Sequence, residues 1–415
     1  MSVADALDLV TPERLVDLVR VLVGVPSVSG SAAEADVQHR LEPLLRAAGM
    51  ETDLWPIDLG LLAEPDFPGC EVERTEAWGL VGAAGGEHGP VLVLNGHVDV
   101  VPVGDLRAWT VDPWAGAVRD GRVLGRGACD MKGGVACQLT AVQVLQEAGV
   151  RLRGGVRLHS VVGEEDGGLG TYATLRRGHG GDLAVVCEPT AGRLVTACAG
   201  ALTFRLTVTG RSAHGSTPYE GVDAISLFLP VFEALRALEV ARNADAHPLM
   251  SSYPVPYPLS IGIVRAGDWA STVADLLVAE GRLGVALEEP VADARRSLEA
   301  AVADACARDV WLREHPVRVE WTGGQFAPGV LPSGSGLEEM VGDVVVELQG
   351  RRPEAIGAPY GSDLRLLTAA GIPTLLYGPG DVREAHAPDE SVAVDDLVAV
   401  TRTLVGVIAR VCGTR

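Results

Sequence analysis

A chain of 415 residues, 47% hydrophobic and 21% charged, is too long for one comfortable core and too apolar to be disordered, so two domains are expected. A formal charge of −21 argues against nucleic acid and anionic membrane surfaces as partners, and the longest apolar runs, such as Val91 to Leu94, are far too short to cross a bilayer. No basic stretch precedes an apolar run at Met1-Ser2-Val3-Ala4-Asp5, so no signal peptide is expected; seven cysteines without CxxC pairing fit a reduced, cytoplasmic protein.

Thr11 as cap, Pro12 at the first helical position and the stripe Leu15, Leu18, Val19 and Leu22 predict an opening helix. Ser31, with Glu34 three residues on, predicts a second helix start closed by a capping box. Short apolar strands follow. Val91 to Leu94 runs into Asn95-Gly96-His97, Val156 to Val162 into Gly163-Glu164-Glu165, and Leu183 to Cys187 into Glu188-Pro189. Late in the chain Thr374 to Tyr377 runs into Gly378-Pro379-Gly380, with His386 shortly after. Helical segments lie between some of them, such as Val135 to Glu147 closed by Gly149. Continuous apolar strands alternating with helices indicate an α/β fold with a mostly parallel, buried sheet, whose ligand site lies beyond the strands' carboxyl ends.

Between Ala199 and Thr322 the pattern changes. Leu202, Phe204, Leu206 and Val208 alternate with polar residues, as in a strand with one exposed face. A helix from about Val222 to Leu238, strands at Leu259 to Val264 and Leu276 to Val285, a helix from Val291 to Ala307 and a strand at Val317 to Trp321 complete the order βαββαβ. That order is ferredoxin-like. The expected organisation is therefore a discontinuous catalytic domain, 1–198 and 323–415, with an inserted domain at 199–322.

The strand ends carry metal-type side chains. His97 offers an imidazole, and Asp99 two residues on can reach the other ring N–H; an HxD triplet alone is more often a structurally bonded histidine. Asp130, at the entrance to a helix and flanked by glycines, reads either as an N-cap or as a carboxylate bridging two ions. Glu164-Glu165-Asp166 could be an exposed acidic loop, yet it directly follows an apolar strand. Glu188 and His386 repeat the placement. Taken singly each is ordinary; together they supply one bridging carboxylate, with one His and one further carboxylate for each of two zinc ions, and an open position for water.

With those residues in place, the chain resembles the acetylornithine deacetylase / succinyl-diaminopimelate desuccinylase / carboxypeptidase G family of zinc amidohydrolases, which includes aminoacylases and some dipeptidases. The resemblance rests on Asn95 to Pro102, Gly125 to Gly134, Gly163 to Gly168, Cys187 to Thr190, Ser212 to Pro218, and Gly378 to Gly380 with His386 to Glu390. It implies that His97 and Glu188 hold one zinc, Glu165 and His386 the other, and that Asp130 bridges them. Asp99 would support His97, Glu164 would be the general base, and the bond after Asp130 would be cis. The inserted domain resembles the family's lid and dimerisation domain, with His214 reaching the partner subunit's site in a homodimer. The family's lid asparagine is missing from Ser271-Thr272-Val273-Ala274-Asp275, and Arg282 is a possible substrate-carboxylate partner.

The resulting expectation is hydrolysis of an amide in a small N-acyl amino acid by metal-activated water, with two zinc ions, or cobalt or manganese in their place. Glu188, a glutamate at the third-ligand position, is more typical of the deacylases than of the dipeptidases. A dipeptidase or carboxypeptidase of the same family is the alternative, and a non-catalytic ligand-binding relative the rival from another class. No GxSxG nucleophile turn is present to support a serine hydrolase.

Overall fold

The computed structural model describes residues 2–414. A short helix, Val3–Asp8, capped by Ser2 with Asp5, precedes the expected opening one. The helix Pro12–Val23 forms as its pattern requires: Thr11 caps Arg14 N–H, and Leu15, Val19, Leu22 and Val23 are buried. The next helix, Ala33–Ala47, lacks the expected capping box. Ala32 is its cap residue, and the Glu34 carboxylate accepts from Gly30 N–H and the Arg74 guanidinium instead of returning to Ser31.

Two compact units make up the chain. One holds the residues up to Ala197, Val330–Ile356 and those from Ser362 onward; the other holds Cys198–Gly329 and Gly357–Gly361. The large sheet has nine strands, eight of them in one path. By first residue the order is Glu51, Trp78, Gly155, Val91, Leu183, Thr374, Leu194 and Gly329. The four middle strands, Gly155–Val161, Val91–His97, Leu183–Pro189 and Thr374–Gly378, are parallel. Trp78–Gly85 and Leu194–Cys198 flank them antiparallel. The middle strands are almost wholly buried, which is why they read as unbroken apolar runs.

Helix Gly133–Glu147 packs on these strands with backbone against backbone. A Cβ on Gly134 would lie 2.2 Å from the Cys187 carbonyl oxygen, and one on Gly378 would also lie 2.2 Å from it. The elements carrying Asp130, Glu188 and His386 are thus held in register by glycine.

In the second unit Leu202, Phe204, Leu206 and Val208 are fully buried on the strand Gly200–Thr209. Its sheet is antiparallel, in the order of strands beginning at Leu259, Leu276, Gly200 and Arg318. Helices Ala224–Arg242 and Val291–Cys306 share its apolar core. This is the ferredoxin-like arrangement. No described helix is long and apolar enough to cross a membrane.

Candidate metal centre and active site

Carboxyl ends of the parallel strands bring the metal-type side chains together. His97 ends its strand, Glu188 lies at the end of Leu183–Pro189, and Glu164-Glu165 follow Gly155–Val161. His386 sits beyond Thr374–Gly378 in left-handed backbone, φ +62°, unusual for a residue with a Cβ. Asp130 belongs to an irregular turn, Ala128–Lys132, and its extended backbone (φ −119°, ψ 100°) faces it away from a capping role. Lys132 is the cap residue of the following helix and makes no side-chain cap bond. The Asp130–Met131 bond is cis.

Asp130 shows one oxygen to each histidine. Oδ1 is 3.1 Å from His97 Nε2 and Oδ2 is 3.6 Å from His386 Nε2. On the first side Glu188 Oε1 lies 3.7 Å from His97 Nε2; on the second, Glu165 Oε1 lies 3.2 Å from His386 Nε2. His97, Glu164 and Glu188 offer donor atoms within 4.8 Å of one another, as do His97, Asp130 and Glu165.

So many acids in a buried space repel one another. Burial pushes the Glu164 and Glu188 carboxyls well above the usual range, and the neighbouring charges of Asp363 for Glu164 and Asp130 for Glu188 push them further. Burial and Asp130 raise Glu165 as well. The hydrogen bond to Glu165 lifts His386 to about 9. Burial would raise Asp130, but the His97 hydrogen bond and the two imidazoles hold it below its ordinary value. A divalent cation on each side would relieve this repulsion, and imidazole nitrogen with carboxylate oxygen is a donor set that zinc, cobalt and manganese accept. The residues present fit such a pair.

Asp99 acts differently from expectation. The nearest acceptor to His97 Nδ1 is the Asp99 backbone carbonyl at 3.0 Å, while its carboxylate Oδ1 is 3.7 Å away. That carboxylate instead accepts from Ser29 Oγ at 2.9 Å and from the N–H groups of Glu164 and Glu165, each at 3.3 Å. One residue therefore holds both the first histidine and the acidic turn.

Arg126 and Glu390 are a second support whose role their motifs did not reveal. The pair is buried and 2.5 Å apart. Glu390 Oε1 accepts from Cys129 and Asp130 N–H at 3.0 and 3.1 Å, and Arg126 Nη2 donates to the His386 carbonyl at 3.2 Å. Both residues stand inside quoted motifs, at positions 126 and 390, but nothing in either segment signals a partner 264 positions away.

His214 and Arg282 belong to the other unit. His214 is exposed, and its Nδ1 accepts from Ser216 N–H at 3.1 Å, so a neutral ring carries its proton on Nε2 as a free donor. Arg282 donates to the Pro359 carbonyl at 3.0 Å, and no carboxylate among the described residues pairs with it.

Residues 93–410 match the pattern of Peptidase family M20/M25/M40. The chain belongs to that family. The M20 chain is 28% identical over 435 residues to an N-formyl-4-amino-5-aminomethyl-2-methylpyrimidine deformylase of Halalkalibacterium halodurans, covering 97% of this chain and 95% of the relative. It is 32% identical to a succinyl-diaminopimelate desuccinylase of Methylobacterium radiotolerans, covering 94% and 95%. Human carnosine dipeptidase 1 shares the fold with a TM-score of 0.77 at 14% identity, covering 99% and 98%. The M20 chain is an enzyme of the amide-hydrolysing metallopeptidase class.

Proposed function

We propose that the chain is a deacylase that cleaves the amide of a small N-acyl amino acid, of the acetylornithine or succinyl-diaminopimelate type. The observation that carries this is Asp130, whose two oxygens face two histidines at 3.1 and 3.6 Å with Glu164 and Glu165 alongside. Two of its relatives are named for removing an acyl group, formyl in one and succinyl in the other, which supports deacylation over peptide cleavage. His97 and Glu188 would hold one cation, His386 and Glu165 the other, and Asp130 both. Zinc is the first choice.

When bound, the cations would supply Lewis acidity, lowering the pKa of a water towards about 7 and polarising the amide carbonyl. Glu164, 7% exposed and sheltered from bulk water, takes the proton of that water and hands it to the leaving amine nitrogen. Asp99 fixes the Glu164 backbone while this happens. His214 Nε2–H, from a second copy of the chain, donates to the oxyanion, and Arg282 takes the substrate carboxylate. A cytoplasmic setting agrees with seven free cysteines.

The lid stretch Ser271 to Asp275 lacks the family's substrate-binding asparagine, so a substrate outside the amino-acid class belongs in the same test. The metal-loaded protein should be assayed side by side on N-acetyl-ornithine, N-succinyl-diaminopimelate, the formylated aminopyrimidine and dipeptides. The acyl amino acids are expected to give the highest kcat/KM. Preferred cleavage of dipeptides overturns the reading, and silence towards every amide at full cation loading points to a non-catalytic binder.

A further inference from the structure

The acidic turn Gly163–Gly168 has little to hold its own shape. Gly163, Gly167 and Gly168 have φ of +69°, +156° and +90°, and the bonds closing it run from Gly168 N–H to Gly163 O and from Gly167 N–H to Glu164 O. A six-residue turn rich in such glycines would let Glu164 and Glu165 wander unless something outside it fixes them.

Asp99 holds the Glu164 and Glu165 N–H groups, and Arg365 donates to the Gly167 carbonyl. The hold on Asp166 comes from elsewhere, from the segment between the first two strands of the large sheet. A Cβ on Gly167 would lie 1.9 Å from the Gly69 carbonyl oxygen, so the segment runs directly over the turn. Asp166, next to Glu165, accepts from Glu71 N–H at 3.3 Å and Val72 N–H at 3.2 Å. Its two oxygens also receive Arg74 Nη1 and Nη2, each at 2.7 Å, in a planar fork. The other edge of the same guanidinium reaches Glu34 from Nε and Nη2, both at 3.1 Å. Glu34, 1% exposed, anchors the assembly to helix Ala33–Ala47 and Gly30. Burial and then the nearby Asp99, against the pull of Arg74, lift Glu34 to about 7.

We propose that Arg74 is a positioning residue for the active site, its buried double fork from Glu34 to Asp166 fixing the turn that aims Glu165 at a cation and Glu164 at substrate. The part concerning Glu164 rests on the deacylase mechanism above; the part concerning Glu165 does not. A neighbour one peptide away moves with Asp166, since consecutive Cα atoms are about 3.8 Å apart. Lysine would keep the charge but cannot make two planar pairs, so Arg74→Lys removes orientation and leaves electrostatics.

The test titrates the chelator-stripped full chain with Co2+, followed by visible absorption, together with kcat and KM on the best amide. In Arg74→Lys, with an unchanged circular-dichroism spectrum, one cobalt step should weaken roughly tenfold while the other holds, and kcat should fall roughly 10–100-fold with KM nearly constant. The weakened step is the one that His386→Ala abolishes. Asp166→Asn should give the same signature should the lysine variant fail to fold, and the double variant should be no worse than the poorer single one. Both cobalt steps and kcat within twofold of the parent, in either folded variant, overturn the proposal. Glu164→Gln keeps the two failures apart: full turnover in it removes Glu164 as the base, while the cobalt titration still judges Arg74.

Discussion

His159 is fully buried with neither ring nitrogen hydrogen-bonded among the described residues. Burial pulls its pKa from 6.5 down to about 3, and the charges of His179 and Arg157 act in the same direction. The folded chain therefore keeps His159 neutral while the unfolded chain takes up a proton below 6.5. Stability from this group is whole above that pH and drains away at about 1.4 kcal/mol per pH unit as the pH falls towards 3. His159→Leu should flatten the loss of melting temperature between pH 6.5 and 4; an equal slope in both proteins places the acid sensitivity elsewhere. The ligand-type residues are ordinary when taken singly; they become legible only as a set of motifs, most of them at or just past strand ends. The supports do not. Arg126, Glu390 and Arg74 are ordinary charged residues whose meaning lies in partners remote in sequence: Arg126 Nη1 reaches Glu390 at 2.5 Å, and Arg74 Nη2 reaches Asp166 at 2.7 Å.

Local pattern decides the elements wherever burial is simple. The parallel strands are covered on both faces and read as apolar runs; Gly200–Thr209 has one exposed side and reads as alternation. The pattern failed at Ser31, where a capping box was plausible on spacing alone, because Glu34 is claimed by Arg74, 40 positions away. Asp130 is the converse case: its placement before a helix suited a cap, yet the turn bends its carboxylate towards His97. Glycine spacing explains how such turns sit so close. Gly134→Ala would drive a methyl group against the Cys187 carbonyl at 2.2 Å, so helix and strand must part. A loss of about 1–3 kcal/mol is expected in denaturant unfolding, together with weaker cation binding through Glu188. Unchanged unfolding and cation affinity in the alanine variant would show that the helix start yields freely.

Among the described residues, the second unit carries an extended exposed apolar surface. Along helix Ala224–Arg242, Ile225, Leu229, Phe232 and Val240 are 46%, 57%, 39% and 70% exposed, spaced as one helical stripe. In the same unit the strand Leu259–Ala266 is at the sheet edge, with Ile263 and Val264 exposed. A homodimer joined through this surface would cover both, and would let His214 serve a second copy. Leu229→Glu with Phe232→Glu should shift the chain to monomer in sedimentation and cut turnover; mixing Glu164→Gln with His214→Asn protein should restore part of it through hybrid dimers. A dimer that survives the charges, or no recovery despite proven subunit exchange, refutes the arrangement.

Where the second unit leaves and rejoins the first, Leu331 N–H donates to the Thr196 carbonyl at 2.8 Å. The host sheet is thus stitched shut across the gap, whatever hangs from it. Such a junction should tolerate variation within the insert, because lengthening its loops asks little of the strands that carry the candidate cation ligands. Specificity can then drift in the appended module, around His214, while the ligand-bearing strands stay fixed, an economical route for one scaffold to reach many amides.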